Sequence, residues 1–152
     1  MLRTRLVRPV RNWVSGGTKD KSSVVLDTGP ILLYFAEDER AGEVLSDADA
    51  DVYVCDLSLA ELYYKTCEVF GREVADLRYT SIRNSGIKPV ATDERLTRDA
   101  GGVKCLHRGK ISLADAYVIA TARRFKGTLV TTDHAISSLG IVKTRLLEVP
   151  SP

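Results

Sequence analysis

Apolar positions along the chain fall into two rhythms. Short, β-branched and nearly unbroken runs occupy 23–26, 51–55, 87–90 and 128–131, the pattern of strands buried on both faces. Between them apolar side chains recur at steps of three and four, the period of helices with one face on a core. Pro30 suits the first position of a short helix over 31–36, and a second helix is expected over 39–46. Ser58-Leu59-Ala60-Glu61 reads as a capping box opening a helix to about Phe70, where Gly71 stops or kinks it. Further helices are expected over 73–84, from Asp93 to about Cys105, from Ser112 to Gly127 and over 133–139, with an edge strand at 145–149. Strands alternating with helices predict an α/β fold: a mostly parallel sheet with helices on both faces. No internal repeat or low-complexity segment interrupts the pattern.

Length keeps this picture to one domain, because 152 residues suffice for a single core without staples. No apolar run reaches the roughly 18 residues that would span a bilayer, so a soluble protein without a membrane partner is expected. Three widely separated cysteines, Cys55, Cys67 and Cys105, form no C-x-x-C pair and suit a reducing, cytoplasmic setting better than a disulfide framework. A formal charge of +2 says little about partners, but its distribution is uneven. Residues 1–21 carry six basic side chains against Asp20 alone, and Ser15-Gly16-Gly17 breaks any helix there. This segment is expected to be a flexible basic extension ahead of a domain over 22–152. It has no apolar core and so is no secretory signal, although an Arg-rich, acid-poor start is also the style of an organellar presequence.

Four acids change the picture most. In a doubly wound sheet, sites form at the carboxyl ends of strands and the adjoining helix N-termini, and Asp27 and Asp133 each follow a predicted strand. Glu61 and Asp115 occupy first turns of predicted helices. Each alone is accounted for as a helix cap or a partner of the helix dipole. As a set they ask for more. Asp115 shares a helical stripe with Val118, Ile119 and Ala122, and no Lys or Arg lies between Lys110 and Arg123, so its carboxylate is expected to face the core without a neighbour to neutralise it. Carboxylates converging in a partly desolvated pocket would take up protons unless a cation were present. Oxygen-only ligands select hard ions, which points to Mg²⁺ or Mn²⁺ in place of zinc, the layout of metal-assisted phosphodiester hydrolysis.

The segments Val25-Leu26-Asp27-Thr28-Gly29, Ser58-Leu59-Ala60-Glu61-Leu62-Tyr63, Ile111 to Ala122 and Leu129-Val130-Thr131-Thr132-Asp133 resemble the four acidic signatures of the PIN domain, in order, over about 24–149. The nearest subgroup is the VapC-type toxins of prokaryotic toxin–antitoxin pairs. The resemblance implies an α/β/α sandwich, a homodimer, Mg²⁺- or Mn²⁺-dependent endoribonuclease activity on RNA, and neutralisation by a VapB-type antitoxin whose tail enters the acidic pocket. It also implies that Asp27, Glu61, Asp115 and Asp133 are the metal-binding acids and that Thr131 orients a carboxylate or a water. Many relatives carry a further acid two residues after the fourth Asp, where this chain has Ala135. One-metal and two-metal forms both stay open.

A nucleic-acid enzyme needs cations beside its acids. Lys104, Arg108 and Lys110 precede the Asp115 helix and Arg95 and Arg98 lie on the one before, although a solvated face explains such charges equally. Arg123, Arg124 and Lys126 suit the last turn of a helix without any RNA. Tyr63, Tyr64 and Phe70 are expected as core or subunit contacts. His107 is a possible phosphate contact, but it reads as an ordinary loop histidine, and Cys105-x-His107 lacks the companions of a zinc site. The "LDTG" stretch lacks the second Asp of an aspartyl phosphatase, since Gly29 stands there, and Lys88-Pro89 comes too early for a receiver domain. The rivals that remain are a non-catalytic PIN-like module binding RNA or protein, and a PIN nuclease of RNA processing without an antitoxin.

Overall fold

The computed structural model describes residues 21–150; the basic extension expected over 1–21 lies outside them except for Lys21. Five strands, β1 (Ser22–Leu26), β2 (Ala50–Cys55), β3 (Lys88–Val90), β4 (Thr128–Thr131) and β5 (Thr144–Leu146), form one sheet in the order β3-β2-β1-β4-β5. Every pairing is parallel. Seven helices connect them: α1 (Thr28–Phe35), α2 (Glu39–Leu45), α3 (Asp56–Phe70), α4 (Arg72–Arg83), α5 (Glu94–Leu106), α6 (Leu113–Phe125) and α7 (His134–Leu139).

The unbroken apolar strands do what period two requires when both faces are covered. Val25, Cys55 and Leu129 point into a core shared with α5, α6 and α7, while Leu26, Val52, Val54 and Val130 point into another shared with α1, α3 and α4. Each fully buried aliphatic side chain contributes about 1.5–3 kcal/mol relative to exposure, so the sheet is held from both sides. The result is an α/β/α sandwich.

At Pro30 and at the last strand the expected element positions differ from the structure. Pro30 is the third residue of α1, because Asp27 caps the helix directly after the strand; a missing N–H is still harmless in the first turn. The last strand lies at Thr144–Leu146, ahead of the expected 145–149, since only these residues find register with β4.

The strand order also fixes where a site can form. From β1 the chain winds outward through β2 and β3, then returns to β4 on the other side of β1. The β1/β4 boundary is therefore the switch point of the sheet, where helices diverge and leave a crevice at the carboxyl ends. Asp27 and Asp133 stand there.

Candidate active site

Asp27 is the anchor. Its backbone N–H donates to the Val130 carbonyl at 2.9 Å, joining the end of β1 to β4. Its side chain is engaged on both oxygens: Oδ1 accepts from the Thr28 N–H at 2.8 Å, and Oδ2 accepts from the Thr131 hydroxyl at 2.8 Å. Thr131 is fully buried, and its hydroxyl in turn accepts from the Asp133 N–H at 3.0 Å. One threonine thus ties the first acid to the backbone of the last across the switch point. Asp133 caps α7, with Oδ1 accepting from the Ala135 N–H at 2.7 Å.

This crossing needs a glycine. A Cβ at Gly29 would lie 2.1 Å from the Thr132 hydroxyl oxygen and 3.0 Å from its Cβ, so the first turn of α1 approaches the end of β4 closer than any side chain permits. Thr28, also buried, donates from its hydroxyl to the Ser58 carbonyl at 3.3 Å and brings α3 to the same edge.

Asp115 forms a reciprocal capping box with Ser112. The Asp115 N–H donates to the Ser112 hydroxyl at 3.0 Å and the Ser112 N–H to Asp115 Oδ2 at 3.1 Å. The carboxylate leans back over the helix start, as side chains in a first turn do, and is half-buried at the rim; it does not face the core as its stripe suggested.

The second expected box is absent. α3 begins at Asp56, straight from the end of β2, with Cys55 as an N-cap that offers no side-chain bond. Ser58 and Glu61 are therefore drawn inside the helix. The Ser58 hydroxyl is buried without a partner among the described residues, and Glu61 pairs with Lys65 one turn on, at 3.6 Å.

The carboxylates share one field. Burial pushes the Asp27 carboxyl above the usual range; the Thr131 and Thr28 hydrogen bonds pull it back, and the charges of Asp115 and Glu61 push it up again. Asp115 and Glu61 thus lie close enough to Asp27 to oppose its ionisation, whereas Asp133 is tied to Thr131 by its backbone N–H and turns its carboxylate to the start of α7. Among the described residues no three His, Cys, Asp or Glu side chains stand close enough to clasp an ion as they are. The caps hold Asp115 and Asp133, and Lys65 holds Glu61. These restraints are weak: a surface pair of this kind is worth about 0–1 kcal/mol and a cap about 1 kcal/mol. A donor set of carboxylate oxygens beside a buried acid whose ionisation is opposed suits a hard divalent cation.

Several basic residues picked out beside the site are engaged in the fold. Lys104 donates from Nζ to the Ile111 carbonyl, fixing the loop ahead of α6. Arg124 forks onto Asp93 at 2.9 and 2.7 Å. Tyr64 and Phe70 are about half exposed and so are not core residues of the described chain, while the Tyr63 hydroxyl bonds Asp76 at 2.9 Å. The sequence reading missed Thr28, Thr132 and Lys65. The i,i+4 spacing of Glu61 and Lys65 was a legible signal; the other two act through tertiary approach alone.

The family model described as PIN domain matches residues 24–142. No curated protein matches the sequence. Among solved structures, VapBC2 from Rickettsia felis, bound to a DNA fragment from its promoter, is 17% identical with a TM-score of 0.67, covering 82% of this chain and 98% of that one. DNA-bound VapBC from Salmonella typhimurium is 15% identical with a TM-score of 0.66, covering 82% and 97%. VapC20 from Mycobacterium tuberculosis, described as a Sarcin-Ricin loop cleaving toxin, is 20% identical with a TM-score of 0.65, covering 80% and 98%. Likeness at these identities establishes a shared fold.

Proposed function

The chain belongs to the PIN-domain family, and from that premise we propose that it is a divalent-metal-dependent endoribonuclease, the toxin of a toxin–antitoxin pair. The observation that carries the reading is Asp27: a carboxylate fixed at the switch point by Thr28 and Thr131, with its ionisation opposed first by burial and then by the charges of Asp115 and Glu61. Acids are gathered there at an electrostatic cost to the charged form of Asp27. A bound cation removes that cost.

Asp27 and Asp115 would hold Mg²⁺ or Mn²⁺, with Glu61 and Asp133 completing the acidic rim. The ion supplies charge neutralisation at the scissile phosphate and eases deprotonation of water. Thr131 keeps the Asp27 carboxylate turned to the crevice. Glu61 or Asp133 would take the proton as water adds to phosphorus; the bond to the 3′ oxygen would break in line, that oxygen would take up a proton from solvent, and the strands would leave with a 5′ phosphate and a 3′ hydroxyl. The toxin assignment rests on the VapBC likenesses, VapBC being described as a family of toxin–antitoxin systems. It carries with it a VapB-type antitoxin and a homodimer in the cytoplasm.

A non-catalytic binding module is the second reading, favoured by the ties that Lys65 and the two caps place on three of the acids. Incubating the purified chain with a fluorescent single-stranded RNA separates the two. Cleavage that needs Mg²⁺ or Mn²⁺, stops with EDTA and falls at least about a hundredfold in Asp115→Asn, the scale of losing one transition-state electrostatic contact, supports the nuclease. Asparagine keeps the oxygen that caps α6, so the variant should stay folded. Cleavage indifferent to metal, or retained by that variant, would refute it. A short DNA-binding protein encoded immediately upstream, purifying with the chain, would support the antitoxin.

A further inference from the structure

Basic charge gathers ahead of the Asp115 helix. Residues 100–114 hold Lys104, Arg108 and Lys110 and no acid. α5 and α6 run antiparallel, since Arg124 near the end of α6 bonds Asp93 ahead of α5, and Lys104 near the end of α5 bonds Ile111 ahead of α6. The link between the two helices therefore lies at the Asp115 end of the pair. Arg95, Arg98 and Arg123 lie toward the other end: Arg123 is eight residues along α6 from Asp115, about 12 Å at 1.5 Å per residue.

That link is held in one shape. His107-Arg108-Gly109-Lys110 closes as a turn, with the Lys110 N–H donating to the His107 carbonyl at 3.1 Å and Gly109 at φ 81°, the left-handed value that suits the third position of a type II turn. Ile111 is buried, its carbonyl is held by Lys104, and the Ser112–Asp115 box locks the far side. Arg108 and Lys110 stand exposed on this fixed turn without an ion-pair partner among the described residues. The Ser112 N–H that meets Asp115 Oδ2 at 3.1 Å belongs to the second residue after Lys110. Covalent geometry then keeps the Lys110 Cα within about 10 Å of that carboxylate, a gap that a lysine's long stem largely spans.

We propose that Arg108 and Lys110 grip the phosphates that flank the scissile bond of a single-stranded RNA. The inference rests on the nuclease reading for its ligand. The acids around Asp27 repel a polyanion, so a strand brought to them needs attraction from beyond the acidic rim. Among the cations without a partner, the two on this turn are the ones that the chain ties to Asp115. Holding them in a fixed turn spares the ordering cost that a mobile loop would meet on binding.

Binding is read by the anisotropy of a fluorescein-labelled single-stranded RNA with Mg²⁺, using the Asp115→Asn chain so that the strand is not cut. Arg108→Gln with Lys110→Gln should weaken binding and make the fall of log K with log salt shallower by about 1.4, from two contacts at about 0.7 each on a single strand. Lys126→Gln with Lys143→Gln removes the same charge at the opposite edge of the sheet, where β4 and β5 begin, and should leave the slope in place. In the chain that keeps Asp115, the turn pair should raise KM for cleavage several-fold with kcat near the wild-type value. All four cations are exposed, so circular dichroism and melting should not change. Equal slopes in the two pairs, or a turn pair that binds and cuts like the wild type, would overturn the grip and leave the nuclease reading intact. Binding that depends on the turn in a protein whose wild type never cuts would keep the grip and sink the nuclease. RNA left unbound by every chain would overturn the grip outright.

Discussion

Thr131 shows how a residue can matter through its neighbours. Its hydroxyl holds the Asp27 carboxylate and favours the charged form, offsetting the burial that opposes it. Thr131→Val should therefore raise the Asp27 pKa further. If cleavage needs that carboxylate ionised, the acid limb of the pH–rate profile shifts to higher pH, whereas Thr131→Ser leaves it in place; a profile unmoved by valine would remove the role. Gly29 is the steric counterpart. Gly29→Ala places a methyl against the Thr132 side chain, and overpacking of this kind costs about 1–3 kcal/mol, which calorimetry should register as a lower melting temperature. Thr132→Gly in the same chain should restore part of the loss, a coupling expected only between residues in contact. The places of Asp27, Asp115 and Asp133 at helix starts were legible from residue type and pattern. The glycine's reason was not, since nothing in the local pattern shows that residue 132 comes within reach of residue 29.

Element starts explain both the capping box that forms and the one that does not. Ser112 and Asp115 close their box because a loop precedes α6 and leaves its first N–H groups to be satisfied locally. Ser112→Ala should cost about 1 kcal/mol, measurable by denaturant unfolding. Ser58 and Glu61 carry the same spacing, yet α3 continues directly from β2, and the box has no free helix end to cap. Between α5 and α6 the Arg124 fork draws the Asp93 carboxyl down to about 2. A depressed pKa stabilises the folded chain above the unfolded value of 3.8 and loses that contribution as pH falls through about 2. Wild-type stability should thus decline across this interval more steeply than that of Asp93→Asn, which acid titration of unfolding would show; equal slopes would mean that the pair is fully screened.

At the scale of the whole molecule, an ion that binds only the folded chain must stabilise it by mass action, about 2.7 kcal/mol at a concentration a hundred times its dissociation constant. For a chain of this size that is a rise in melting temperature of roughly 2–4 °C per kcal/mol. Mg²⁺ or Mn²⁺ should raise the melting temperature of the wild type and leave Asp27→Asn unmoved; no difference between the two would argue against a site at Asp27. Period and punctuation along the chain were enough to determine the α/β class, the number of strands and the positions of Asp27, Asp115 and Asp133 at element ends, because each depends on neighbours within a few residues. The order β3-β2-β1-β4-β5, the Asp27–Thr131–Asp133 chain of bonds and the choice of Lys65 for Glu61 were settled only by folding. Those contacts join segments up to 104 residues apart, or choose between partners that local spacing permits equally, and packing alone discriminates among them.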